Sequence, residues 1–172
     1  MKNDNEQEIV KEIEYYNSLP CIFDDFIDIP DLSDGVISLV CTRKNQAHPE
    51  KQWIPVPNYD FAVCKGVEKI GDVNLRIGYT DFLYYSGQIS YRIDEKHRGN
   101  GYAERACRLL VPVAKAHGMT KLLIAANPAN TASIRVCEKL GTRFVRTARL
   151  PEWHDRYGTG GCYYRNIYEW NM

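Results

Sequence analysis

The stretch Arg98-Gly99-Asn100-Gly101-Tyr102-Ala103 sets a guanidinium and two glycines between a strand-like segment, 87–94, and a helical one, 102–117. Gly101 has no Cβ, so its backbone can approach a ligand closely and adopt dihedrals closed to other residues. The N–H groups of a first helical turn have no partner inside the helix. They point outward with a partial positive charge. Arg98 adds a full charge on a planar donor fork. Together the amides of 99–104 and Arg98 suit a phosphate, most naturally a pyrophosphate. The same residues also fit a plain helix entry with a solvated arginine.

A second constellation is Asn127-Pro128-Ala129-Asn130-Thr131-Ala132-Ser133, directly after the apolar run 121–126. Asn130 or Thr131 is a good N-cap. Ser133 then falls in the first helical turn, and Cys137 one turn later shares roughly its face. Turn and capping chemistry accounts for both asparagines, and core packing for Cys137, as readily as ligand contact does. A third group, Glu152, Trp153, His154, Asp155 and Tyr157, lies in a polar and aromatic loop, 151–161. Tyr91 and Ser90 sit on the strand that precedes the first turn.

These residues need elements to hold them. Apolar spacing predicts a helix over 5–17, from Ile9, Val10, Ile13 and Tyr16. A loop rich in aspartate follows over 20–34, and those aspartates are either solvated or attractive to a cation. A strand is expected over 35–41, a proline-bearing loop over 44–58, and antiparallel strands over 59–64 and 68–79 with a turn near Lys65-Gly66. Residues 81–86 read as a connection. The helix 102–117 carries Pro112 in its interior and should kink near 108–111. A buried strand (121–126), a helix (130–140) ended by Gly141, and strands over 143–150 and 162–170 complete a mixed α/β sheet flanked by helices.

Composition narrows the classes. The 172 residues carry 22 basic and 22 acidic side chains, which argues against nucleic-acid binding driven by bulk charge. The N-terminus is too polar for a signal peptide, and no apolar run approaches the roughly 20 residues of a membrane helix. The six cysteines are scattered without Cys-x-x-Cys or zinc spacing, so no metal site is expected and the thiols suit a cytoplasmic protein. The length favours a single domain over 1–172.

In order and spacing, the two constellations resemble the GNAT acyltransferase superfamily. Its Arg/Gln-x-x-Gly-x-Gly/Ala signature is met by Arg98, Gly101 and Ala103, and its Asn-turn, helix and Leu-Gly by Asn127, Asn130, Ser133 and Leu140-Gly141. The wording of the second helix is most similar to the RimJ/RimL-like branch, which acetylates ribosomal-protein N-termini. The resemblance covers about 68–150. It implies a mostly antiparallel sheet with a V-shaped opening between splayed parallel strands, here 88–94 and 121–127.

An acetyl-CoA would lie in that opening. The backbone near Ile93 would hold the pantetheine, the segment Arg98, Gly99, Asn100, Gly101, Tyr102, Ala103 and Glu104 the pyrophosphate, and Asn127, Asn130 and Ser133 the pantetheine or thioester. The implied activity is acetyl transfer to a primary amine: a protein N-terminus or a small-molecule amine. Tyr91, Trp153, His154 and Tyr157 would border that acceptor. A homodimer is compatible with this reading. Many members protonate the departing thiolate with a tyrosine in the second helix. Cys137 stands at that position, leaving Ser133, Cys137 or water to give the proton. Residues 103–106 and the Thr142-Arg143 pair before Phe144 also depart from the family pattern. A non-catalytic acyl-CoA-binding module is the alternative; a P-loop protein is disfavoured because Gly-Lys-Ser/Thr is missing.

Overall fold

The computed structural model describes residues 4–48, 50–51 and 55–172. Helix α1 (Asp4–Asn17) is followed by β1 (Leu32–Ser33), β2 (Ser38–Asn45), β3 (Asn58–Lys65) and β4 (Glu68–Arg76). Then come α2 (Asp81–Ser86), β5 (Ile89–Ile93), α3 (Tyr102–Leu109), α4 (Val111–Ala116), β6 (Lys121–Ala126), α5 (Thr131–Leu140), β7 (Arg143–Arg149) and β8 (Tyr164–Asn171). Among the described residues these strands form two antiparallel sheets, in the orders β1-β2-β3-β4-β5 and β6-β8-β7.

Local chemistry explains most boundaries. Pro112 breaks the expected 102–117 helix into α3 and α4, with Leu110 at the junction. Strand β2 starts later than its apolar run, because Asp34 Oδ1 accepts the Val36 and Ile37 N–H groups in a turn. It then continues through the polar Thr42–Asn45, whose ladder with β3 needs no apolar side chains. The proline-bearing loop therefore begins after Asn45; Pro49 within it lies outside the described residues. The expected connection 81–86 is a helix. Thr80 caps it by accepting the Leu83 N–H, and Phe82, Leu83, Tyr84 and Tyr85 are all buried. Four consecutive buried residues carry no helical periodicity.

Tyr59, Phe61, Val63, Leu75 and Ile89 turn from the first sheet onto Leu110 and Val113, and Leu122 joins them from β6. Helix α1 packs Tyr16 with Tyr84 and Tyr85 onto Leu123, Ala148 and Ile167 of the second sheet, while Val10 faces outward.

The two sheets part between β5 and β6. Their only ladder contact among the described residues is one antiparallel bridge, Gly87–Ile124. Gln88, fully buried, donates its N–H to the Leu123 carbonyl at 2.9 Å and accepts the Leu123 N–H on Oε1 at 2.6 Å. A side-chain amide thus takes the bond that a neighbouring strand would otherwise take, and the ladder stops there. A Cβ on Gly87 would stand 2.8 Å from the Leu123 carbonyl and 2.9 Å from the Ala125 nitrogen, at a φ of +74°. Gly87→Ala should therefore destabilise the protein by roughly 3 kcal/mol, lowering Tm by about 6–12 °C in thermal melts.

Candidate functional site

Beyond the Gly87 bridge the opening becomes a cleft of about 510 Å³ between β5, the 95–101 turn, the start of α3 and one face of α5. The alternation of antiparallel bonding decides what β5 presents there. Arg76 donates to the Gln88 carbonyl and Asp94 to the Ile70 carbonyl, so Gln88, Ser90, Arg92 and Asp94 bond β4. The N–H and C=O groups of Ile89, Tyr91 and Ile93 consequently face the free edge. Arg98 Nε closes one of them by donating to the Ile93 carbonyl at 3.0 Å.

At the end of β5 the chain enters α3 through Gly99 and Gly101, at φ +80° and +74°. Gly101 is the N-cap of α3 and supplies no side-chain acceptor. Among the described residues, the N–H groups of 99–104 have no hydrogen-bond partner. Nothing lies within 4 Å of a Cβ built on either glycine, so the space above the turn is open. An unpaired, aligned set of amides at a helix start is an anion site. The walls add charge: Arg92, Arg98, Arg135 and Lys139 line the cleft with His97, against one carboxylate, Glu104. Glu104 itself is bonded by Arg108 at 3.0 Å. Arg135 and Lys139 carried no role in the sequence reading, although their i,i+4 spacing puts them on one helix face with Ala132 and Val136.

Of the expected binding residues, Ile93, Arg98, Gly99, Gly101, Tyr102, Ala103, Glu104, Asn130 and Ser133 all line this cleft. Asn100 and Asn127 do not. Asn100 Nδ2 donates to the His97 and Arg98 carbonyls and shapes the turn from outside. Asn127 Oδ1 accepts the Ala129 N–H at 2.9 Å, which closes the turn before α5. Asn130 caps α5 by accepting the Ser133 N–H at 3.1 Å.

The two expected proton donors separate. Ser133 lines the cleft, and its Oγ lies 2.8 Å from the Tyr91 hydroxyl. Burial raises the Tyr91 pKa well above its ordinary value, despite the Ser133 bond that lowers it. Cys137 is fully buried in the core beneath them and does not line the cleft. Burial pushes its thiol up to about 12. Four residues carry the side chain about 40° past a full turn, and that offset turns Cys137 into the core. Iodoacetamide at pH 8 should leave Cys137 and the equally buried Cys107 unlabelled until the chain is denatured, as read by peptide mass spectrometry.

The loop expected to border the acceptor packs beside α2. Trp153, His154 and Tyr157 lie outside the cleft. His154 is buried and stacks on Phe82 at 4.9 Å. Its Nδ1 lies 3.1 Å from the Arg156 nitrogen and 3.2 Å from Asp155 Oδ1, and its Nε2 lies 2.9 Å from Ser86 Oγ. Burial lowers its pKa, which holds the ring neutral. Trp153 is half-exposed against the Tyr85 ring, and the Tyr157 hydroxyl accepts from Arg149. Trp153 and His154 fasten the loop to α2, and Tyr157 fastens it to β7.

A sheet opened at one strand pair, with an amide-lined turn at the end of one of the parted strands, is the arrangement of the GNAT fold. Residues 37–143 match the acetyltransferase (GNAT) domain family, and the chain belongs to it. The protein YkkB of Bacillus subtilis (strain 168), itself uncharacterized, is 36% identical over 63 residues, 36% of this chain and 37% of that one. The match therefore spans little more than a third of that relative's length. The fold is similar to the microcin C7 self-immunity acetyltransferase MccE in complex with acetyl-CoA and AMP, at TM-score 0.52 and 17% identity, covering 67% of this chain and 61% of that one. It is equally similar to RimL, the ribosomal L7/L12 α-N-protein acetyltransferase, at TM-score 0.52 and 17% identity over 67% and 70% of the two chains. The ribosomal-protein-S5-alanine acetyltransferase of Vibrio fischeri gives 0.51 and 21%, over 66% and 61%.

Proposed function

We propose that this chain is an acetyl-CoA-dependent N-acetyltransferase that moves the acetyl group to a primary amine by direct attack in a ternary complex. One observation carries the reading: the unpaired amides of 99–104 lie at the end of the free β5 edge, in the same cleft as the Tyr91–Ser133 pair. The amides and Gly101 would take the pyrophosphate, with Arg98, Arg135 and Lys139 as counter-charges. The pantetheine amides would run along β5 as an added strand, against the backbone groups of Tyr91 and Ile93. An N–H on that edge would polarise the thioester carbonyl as its oxygen gains charge. The six cysteines are free thiols, which suits a reducing compartment such as the cytoplasm.

In the reaction the amine nitrogen bonds the acetyl carbon, the carbon–sulfur bond breaks, and the proton lost by the amine ends on the sulfur. The Tyr91 and Ser133 hydroxyls are the groups placed to donate to the leaving sulfur. The raised Tyr91 pKa keeps its proton in place until that base appears. Mixing the protein with acetyl-CoA and a panel of peptide N-termini and small-molecule amines should release free thiol and acetylated amine in equal amounts. Acetyl-CoA binding with no thiol released from any amine would instead mark a non-catalytic acyl-CoA-binding module.

A further inference from the structure

Among the described residues Glu104 is the one carboxylate that lines the cleft, and it stands three residues after the Gly101 N-cap of α3. A glutamate at that position commonly reaches back to accept the N–H of the N-cap residue. It also gains from the partial positive charge of the helix start. Both effects draw the side chain onto the amides of 99–104, the groups suited to a phosphate. Left to itself, Glu104 would be a resident anion in the anion site.

Its carboxylate is held aside instead. Glu104 Oε1 accepts from Arg108 Nε at 3.0 Å, one turn further along α3. Arg108 also donates Nη2 to the Lys139 carbonyl at 2.8 Å, in the last turn of α5. One guanidinium therefore spans the two helices and is fixed at both ends. Arg105 is engaged elsewhere, on Asp34 at 2.7 Å. Glu104 lies on the ridge between the cleft and a groove of about 420 Å³ on the outer side of α3, and lines both. Arg108 lines only the groove, so it draws the carboxylate away from the turn. Among the described residues the Gly101 N–H is left without a partner.

Resting on the acetyltransferase reading above, we propose that Arg108 is a positioning residue that holds the Glu104 carboxylate off the 99–104 amides and so keeps them open to the pyrophosphate. The Glu104 side chain is then no ligand of the cofactor but a competitor for its site. As an exposed i,i+4 ion pair the contact is worth little to stability. Its effect lies in where it puts a negative charge.

Calorimetric titration with acetyl-CoA tests this on the unmodified protein, Arg108→Gln, Glu104→Gln and the double variant. Arg108→Gln should lower acetyl-CoA affinity about tenfold, the scale of one charge-assisted bond taken over by the freed carboxylate. Glu104→Gln should change it by no more than about twofold, since the carboxylate is already held aside. The double variant should stay within about twofold of Glu104→Gln, because the two side chains act as one unit. S-acetylpantetheine, which lacks the pyrophosphate, should bind all four proteins equally. In Arg108→Gln without ligand the Gly101 amide NMR signal should move, and the double variant should restore it. If Arg108 only braced α3 against α5, the loss would persist in the double variant and extend to S-acetylpantetheine. Either of those results, or unchanged acetyl-CoA affinity in Arg108→Gln, would overturn the proposal. If acetyl-CoA fails to bind the unmodified protein, the underlying reading fails instead.

Discussion

Gly101→Glu should lower acetyl-CoA affinity by on the order of a hundredfold while the protein stays folded. Two effects add. The substitution sets a carboxylate among the N–H groups of 99–104, so a site suited to an anion acquires one of its own. Each charge-assisted bond lost there is worth about 1.5–3 kcal/mol, and tenfold in affinity is about 1.4 kcal/mol. The new side chain also has to live at φ +74°, which costs about 1–2 kcal/mol of stability. Its Cβ meets no neighbouring atom within 4 Å, so the backbone bears strain but no clash at that atom. Gly101→Ala separates the two effects, because it carries the strain without the charge. Calorimetric titration should find its acetyl-CoA affinity close to that of the unmodified protein.

Tyr91→Phe should reduce kcat by roughly a hundredfold, the lower range for a positioned proton donor, with little change in acetyl-CoA affinity. The hydroxyl lies 2.8 Å from Ser133 Oγ, and removing it leaves the ring in place. Ser133→Ala should cost less, about tenfold, because Tyr91 keeps its own proton. The double variant should fall short of the product of the two, since both hydroxyls belong to one hydrogen-bonded pair. Cys137→Ala should leave kcat near the unmodified value, as the thiol is buried away from the cleft. A large fall in kcat for Cys137→Ala with none for Tyr91→Phe would reverse the assignment. Single-turnover thiol release measures all four variants.

The residues that could be read from the sequence act through their own local backbone. Gly101 needs a left-handed N-cap, and Asn130 needs only the Ser133 N–H three residues on. Both follow from spacing. Tyr91 is different: its partner is 42 positions away, and only the parting of β5 from β6 brings the two hydroxyls together. Gln88 is the wedge of that opening, yet in the sequence it is one polar residue at the start of an apolar strand. His154 reads from the sequence as an acceptor-side residue because a polar aromatic loop hides the fact that Phe82 stacks on its ring. Helix α2 escaped notice because burial on all sides erases periodicity. The cationic wall from Arg135 and Lys139 was visible as helical spacing, but its direction depends on which face α5 buries.

The central claim is that the 99–104 amides bind the pyrophosphate of acetyl-CoA. Calorimetry with two ligands, acetyl-CoA and S-acetylpantetheine, which lacks the pyrophosphate, tests it most directly on the unmodified protein and on Gly101→Glu. The expected result is a large loss of affinity for acetyl-CoA in the variant, with S-acetylpantetheine bound equally weakly by both proteins. Equal losses for the two ligands, or no loss for acetyl-CoA, would contradict it.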